Sequence, residues 1–139
     1  MKGTPTENIA PAAGKTLLTD DLSRRIIGCL IEVHKTLGPG LLENVYERCL
    51  AHEFTSEGIA FEQQLALPVI YKGMPVECGY RIDMLVERQI ILELKSVESL
   101  SRVHEAQLMT YLKLCGLHHG FLVNFNVRRL TDGLKSIIL

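Results

Sequence analysis

Net charge is nearly absent from this sequence: 15 Lys and Arg stand against 16 Asp and Glu, leaving −1 over 139 residues. That excludes a strongly basic coat protein for nucleic acid, so any grip on a polyanion has to come from a local patch or a metal site. No apolar run approaches the ~20 residues that cross a bilayer, and no membrane partner is expected. Met1 to Lys15 lack the apolar stretch of a secretory signal, which points to a cytoplasmic protein. The four cysteines, Cys29, Cys49, Cys78 and Cys115, contain no CxxC pair and share no ligand spacing with the histidines. They suit free thiols in a reducing compartment better than a disulfide or zinc framework. Internal repeats and low-complexity tracts are absent too.

What remains is one domain's worth of chain with an ordinary 47% apolar content, long enough to bury a core unaided. Residues 1–18 mix Gly, Pro, Thr and Ala without period and read as a flexible leader; residues 19–139 read as the single domain. Thr19-Asp20-Asp21 offers a helix start. Ile26, Ile27, Leu30, Val33, His34 and Leu37 then recur at helical spacing, and Gly38-Pro39-Gly40 stops the helix. A second helix is expected from Leu41 to Ser56, with Leu42, Val45, Tyr46, Cys49, Leu50 and Phe54 inward and Gly58 closing it. From Phe61 the period changes: Leu65, Leu67, Val69 and Tyr71 alternate, and Lys72-Gly73 reads as a turn.

The next stretch is the most informative. With Glu87-Arg88-Gln89 as a tight hairpin loop centred on Arg88, Val86 faces Ile90 and Asp83 faces Glu93. Strand alternation then gives one apolar face of Tyr80, Ile82, Met84, Val86, Ile90, Leu92 and Leu94. The opposite face carries Arg81, Asp83, Leu85, Ile91, Glu93 and Lys95. A third helix is expected over Ser101 to Leu114, ending at Gly116. Phe121, Val123 and Phe125 form a fourth strand, and Ile137 to Leu139 a short last one.

Two carboxylates opposite each other on a half-buried face are unfavourable unless something offsets their charge. A hard divalent cation does so, and carboxylate oxygens select Mg²⁺ or Mn²⁺ over zinc. Lys95 points the same way as Glu93. An isolated Glu-x-Lys is usually a solvated, salt-bridged strand face; the aligned Asp83 is what separates this one from that background. On the third helix His104, Gln107 and Tyr111 share a face, either as a polar boundary stripe or as hydrogen-bonding groups for a site. Glu43 opens the second helix, where the helix dipole alone favours an acid; the alternative is a third carboxylate at the metal.

Asp83, Glu93-Leu94-Lys95 and Gln107-Leu108-Met109-Thr110-Tyr111 resemble the D…E-x-K…Q-x-x-x-Y signature of RecB-like PD-(D/E)XK nucleases. Gly40-Leu41-Leu42-Glu43-Asn44-Val45-Tyr46 is similar to the pattern that names the bacterial GxxExxY family. Val33-His34, Leu37-Gly38-Pro39-Gly40, Tyr71-Lys72-Gly73 and Asn124-Phe125 extend the match from about Asp20 onward. The resemblance implies an α/β, restriction-endonuclease-like core, a mixed β-sheet flanked by helices in the order ααβββαβ. By position it implies Asp83, Glu93 and Glu43 as metal ligands for Mg²⁺ (or Mn²⁺), Lys95 as the catalytic lysine, Gln107 as orienting and Tyr111 as supporting the site. Residue 82 is Ile where the superfamily's name has Pro. Arg102, Arg128, Arg129, His34 and His104 are candidate nucleic-acid contacts, against the plainer reading of solvated charges and structural histidines.

The function expected on this basis is metal-dependent hydrolysis of phosphodiester bonds in DNA, or alternatively RNA. A domain this small would use a homodimer to cut both strands of a duplex. Two alternatives compete: an inert nuclease-fold module that binds nucleic acid or a protein partner, and a metal enzyme acting on another phosphorylated substrate. Metal binding that depends on Asp83 and Glu93 separates the inert module from the enzymes.

Overall fold

The computed structural model describes residues 19–139; the leader expected over residues 1–18 lies outside the described residues. Leu22, Ile26, Cys29, Leu30 and Val33 recur every three or four residues and are all buried, which makes α1 (Thr19–Leu37) an amphipathic helix with one inward stripe. It ends where Gly38 takes a φ of +73°, with the Gly38 N–H donating to the His34 carbonyl at 2.7 Å.

The second helix, α2 (Glu43–Ser56), begins two residues later than expected. Leu42 sits at its N-cap in extended backbone and is exposed, as is Val45. The reason lies in the Gly-Pro-Gly turn and in Tyr46. The Tyr46 hydroxyl donates to the Gly38 carbonyl at 2.6 Å and accepts from the Leu41 N–H at 3.1 Å. This ties the turn to the helix and holds Leu41 and Leu42 outside it. The inward stripe is therefore Tyr46, Leu50 and Phe54, and the Tyr46 ring stacks on Phe125 at 4.3 Å between centroids. Tyr46→Phe leaves a carbonyl and an N–H without their partner. It is expected to lose about 2 kcal/mol, read as a lower urea midpoint at constant m-value; an unchanged midpoint would show that water replaces the hydroxyl.

The alternating stretch after Phe61 splits in two. β1 (Phe61–Ala66) joins the main sheet, while Pro68 separates it from β2 (Val69–Tyr71), which pairs through the Lys72-Gly73 turn with β3 (Met74–Val76) as a two-stranded ribbon. β4 (Arg81–Val86), β5 (Ile90–Lys95), α3 (Arg102–Cys115), β6 (His119–Asn124), a 3-10 turn (Leu130–Gly133) and β7 (Leu134–Ile138) complete the order. The main sheet runs β1-β4-β5-β6-β7, parallel between β5 and β6 and antiparallel elsewhere. The α/β class and the mixed sheet flanked by helices are thus as expected. The ribbon adds strands to the expected order, and β7 begins three residues before the short last strand expected at Ile137.

Both sheet faces are covered. Met84, Val86, Ile90, Leu92, Leu94, Phe121, Val123 and Phe125 pack with α1 and α2. Leu85, Ile91 and Leu122 pack with Leu108, Tyr111, Leu112 and Cys115 of α3. The expected wholly apolar face needs one correction: Ile82 belongs to the α3 core, and Tyr80 is partly exposed with its ring edge-on to Tyr111. Alternation breaks at Asp83 because the strand does. The β1–β4 pairing skips Gln64 opposite Asp83, Gln64 has a φ of +49°, and the β4–β5 pairing stops at Met84–Leu92.

Candidate metal centre

The hairpin register expected from the sequence is present: Val86 pairs with Ile90, Leu85 with Ile91 and Met84 with Leu92. One step further the backbone ladder gives way to side chains. The Asp83 N–H donates to Glu93 Oε2 at 2.9 Å, and the Leu94 N–H donates to Asp83 Oδ2 at 2.8 Å. Each carboxylate thus occupies the gap left by the parting strands and satisfies a backbone donor of the other's strand. One oxygen of each is engaged this way. Asp83 Oδ1 has only a 3.5 Å contact with Gln64 Nε2, and Glu93 Oε1 accepts no hydrogen bond from a described residue.

Burial sets the electrostatics. Glu93 is 3% exposed, and desolvation, reinforced by the Asp83 charge, pushes its carboxyl up to about 8. Asp83 is raised as well, first by burial, with the Leu94 N–H opposing the shift. Lys95, half-buried beyond Glu93, lowers both but forms no ion pair with either. A site that costs this much to ionise, with an oxygen of each acid left over, has the donor set of a hard divalent cation. Among the described residues no group of three or more His, Cys, Asp and Glu side chains is arranged to hold a metal ion. Two carboxylates match what Mg²⁺ takes from proteins, since it retains waters and uses substrate phosphates for its remaining positions.

The α2 acids divide in a way the sequence did not indicate. Glu43 is exposed, and its Oε2 accepts from the Ser96 N–H at 2.9 Å, just beyond Lys95. Glu47, one turn further, is the α2 acid whose charge raises both Asp83 and Glu93. Its two oxygens accept from Gln63 Nε2 at 2.9 Å and Gln64 Nε2 at 2.8 Å. Gln64 therefore links Glu47 to Asp83 from its left-handed position in β1. Glu47 and Gln64 went unnoticed in the sequence; the available signal was the i, i+4 relation of Glu47 to Glu43.

From α3, Tyr111 is buried beside the pair. Desolvation first, and then the Glu93 charge, push its hydroxyl up to about 12. Gln107, one turn before Tyr111 on α3, is half-buried, and its side chain makes no hydrogen bond to a described residue. The five candidate nucleic-acid contacts do not gather in one place. His104 Nδ1 accepts from the Ser101 N–H at 3.1 Å, which caps α3, and Arg102 is exposed on the first turn of that helix. His34 is buried on the other side of the sheet with Nε2 2.8 Å from the Val127 carbonyl, and Arg128 and Arg129 line a cavity with it.

The cysteines are free. Burial pushes Cys29 up to about 11 and Cys115 up to about 12, so neither thiol is a nucleophile near neutral pH. No helix among the described residues is long and apolar enough to cross a membrane.

Compared with known proteins, residues 20–137 match the family model of the PD-(D/E)XK nuclease superfamily. No curated protein and no solved structure gives a significant match.

Proposed function

The chain belongs to the PD-(D/E)XK nuclease superfamily, and from that premise we propose that it is a Mg²⁺- or Mn²⁺-dependent nuclease that hydrolyses phosphodiester bonds of DNA. The observation that carries this reading is the Asp83–Glu93 pair. Each acid is fixed by a backbone N–H of the neighbouring strand and keeps a second oxygen, with Lys95 on the same side.

In this reading Asp83 and Glu93 hold the ion, Glu43 is the third ligand that the resemblance implies, and Glu47 adds the nearby negative charge that acts on the pair. The bound ion would polarise the scissile phosphate and lower the pKa of water. The Lys95 ammonium orients the attacking water by hydrogen bonding and offsets negative charge growing on the phosphate oxygens. The Gln107 amide orients substrate or water at the rim. Tyr111, un-ionised at neutral pH, walls off Glu93 from solvent and holds α3 against the strands.

The test is a cleavage assay on single- and double-stranded DNA and RNA with Mg²⁺ or Mn²⁺, with Glu93→Ala and Lys95→Ala alongside. Lys95→Ala is expected to lose about 100-fold or more. A parent protein inert on every substrate rejects the reading, and an unimpaired Lys95→Ala protein removes the lysine from its role.

A further inference from the structure

A cavity of about 330 Å³ lies at the C-terminal end of α1, on the sheet face away from α3, lined by His34, Lys35, Arg128, Arg129, Leu130 and Thr131 among others. No acid lines it. Lys35, Arg128 and Arg129 are exposed, and none of their side chains forms an ion pair or hydrogen bond with a described residue. In a chain of net charge −1, three unpaired cations around one hollow are not a by-product of general basicity. They repel one another until an anion sits between them.

The backbone beneath them is fixed on both sides. The buried His34 ring, 7% exposed, meets the Val127 carbonyl at 2.8 Å immediately before the two arginines. The 3-10 turn, with Leu130 buried in the core, follows immediately after them. The cations are thus displayed from a built floor.

Their position relates them to the metal centre. Lys95 and Asn124 are partners at the ends of the parallel strands β5 and β6, and the Phe125 N–H donates to the Lys95 carbonyl at 2.9 Å. The Asn124 side chain grips Val97 through both its N–H and its carbonyl. Four residues lead from Asn124 to Arg128, at most roughly 14 Å of backbone. The cavity therefore lies within a few nucleotides' reach of Lys95, since each strand of a B-form duplex carries a phosphate about every 3.4 Å of helix axis.

We infer that Lys35, Arg128 and Arg129 form a phosphate site that grips the sugar–phosphate backbone of the nucleic acid away from the bond to be cut. This rests on the nuclease reading for its ligand, but it involves none of the residues assigned to the metal.

The test is fluorescence anisotropy of a labelled 20-nucleotide single strand and its duplex with the full chain in EDTA, so that no metal contributes. The double variant Arg128→Ala/Arg129→Ala is expected to bind at least 10-fold more weakly at 50 mM NaCl. On the single strand its dependence of log affinity on log salt should flatten by about 1.4. Lys35→Ala should show about half that flattening, Arg128→Lys/Arg129→Lys should retain most of the binding, and Lys113→Ala on α3 should match the parent. Unchanged affinity and slope in the double alanine variant overturn the site, as does inorganic phosphate binding that needs the arginines in a protein that ignores oligonucleotides. The two readings fail separately. Arginine-dependent DNA binding without cleavage under any metal keeps this site and rejects the nuclease. Cleavage with an unaltered KM in the double alanine variant does the reverse.

Discussion

Glu93→Gln is expected to lose cleavage by about 1000-fold or more and, at the same time, to melt at a higher temperature than the parent in metal-free buffer at pH 8. The amide keeps an acceptor for the Asp83 N–H while removing the charge. The sign follows from the direction of the shift. The Glu93 carboxyl is raised from 4.5 to about 8, so the folded protein holds this proton more tightly than the unfolded chain. Below pH 4.5 both states are protonated and the group costs nothing. As pH rises toward 8 the cost of burying the carboxylate appears, and above 8 it stays. Full expression of this effect is on the order of 5 kcal/mol against the folded state.

Calorimetric melting in EDTA at pH 5 and pH 8 checks it. The parent should lose stability between the two, and the Gln variant should lose much less and exceed the parent by about 5 °C or more at pH 8. Parallel melting of the two proteins at both pH values would show that Glu93 is not held protonated. Mn²⁺ should bind the parent more tightly as pH rises toward 8, because the ion displaces the proton, and should return the stability that ionisation removes. A site costly to the empty protein is what a binding centre looks like when stability and function compete.

Gly133→Ala is expected to cost about 3 kcal/mol or more, a large part of the total stability of a domain this size. A Cβ at this position would collide with the Asn124 carbonyl oxygen, which is backbone and has no rotamer to retreat into. The strain falls where β6 and β7 pair at Val123–Leu134. It also falls on the residue whose side chain grips Val97 beyond Lys95. Gly38 makes the comparison: its φ is +73° but open space surrounds it, so Gly38→Ala should cost only about 1 kcal/mol. Urea denaturation of the two variants would separate close approach from backbone preference, and equal midpoints would contradict this account.

Much of the fold could be read from the chain because the relevant signals are local. Leu22, Ile26, Leu30 and Val33 repeat at the pitch of a helix whatever lies opposite. The loop centred on Arg88 fixes Val86 against Ile90, and a slip of one residue would turn every side chain of the hairpin over. Glu87 and Arg88 take positive φ without being glycine, a local cost that the burial of Leu85, Val86, Ile90 and Ile91 outweighs. Alternation failed at Ile82 for a non-local reason. It presumes an unbroken ladder, and this ladder is interrupted on both sides of Asp83, by the left-handed Gln64 in β1 and by the two carboxylates toward β5.

The scarcity of net charge takes on a different meaning in three dimensions. By itself the sequence determined the α1 stripe, the hairpin register and the order of Asp83, Glu93, Lys95, Gln107 and Tyr111, since periodicity and strand pairing act over a few residues. Only the tertiary structure decided that the Glu47 charge acts on the carboxylate pair, because that depends on how α2 is tied down by Tyr46 and where β1 presents Gln63 and Gln64. It alone brought Lys35 to Arg128 and Arg129, 93 residues away, by packing the end of α1 against the turn that leaves β6. Electrostatic energy depends on distance and burial, and neither is a property of position along the chain.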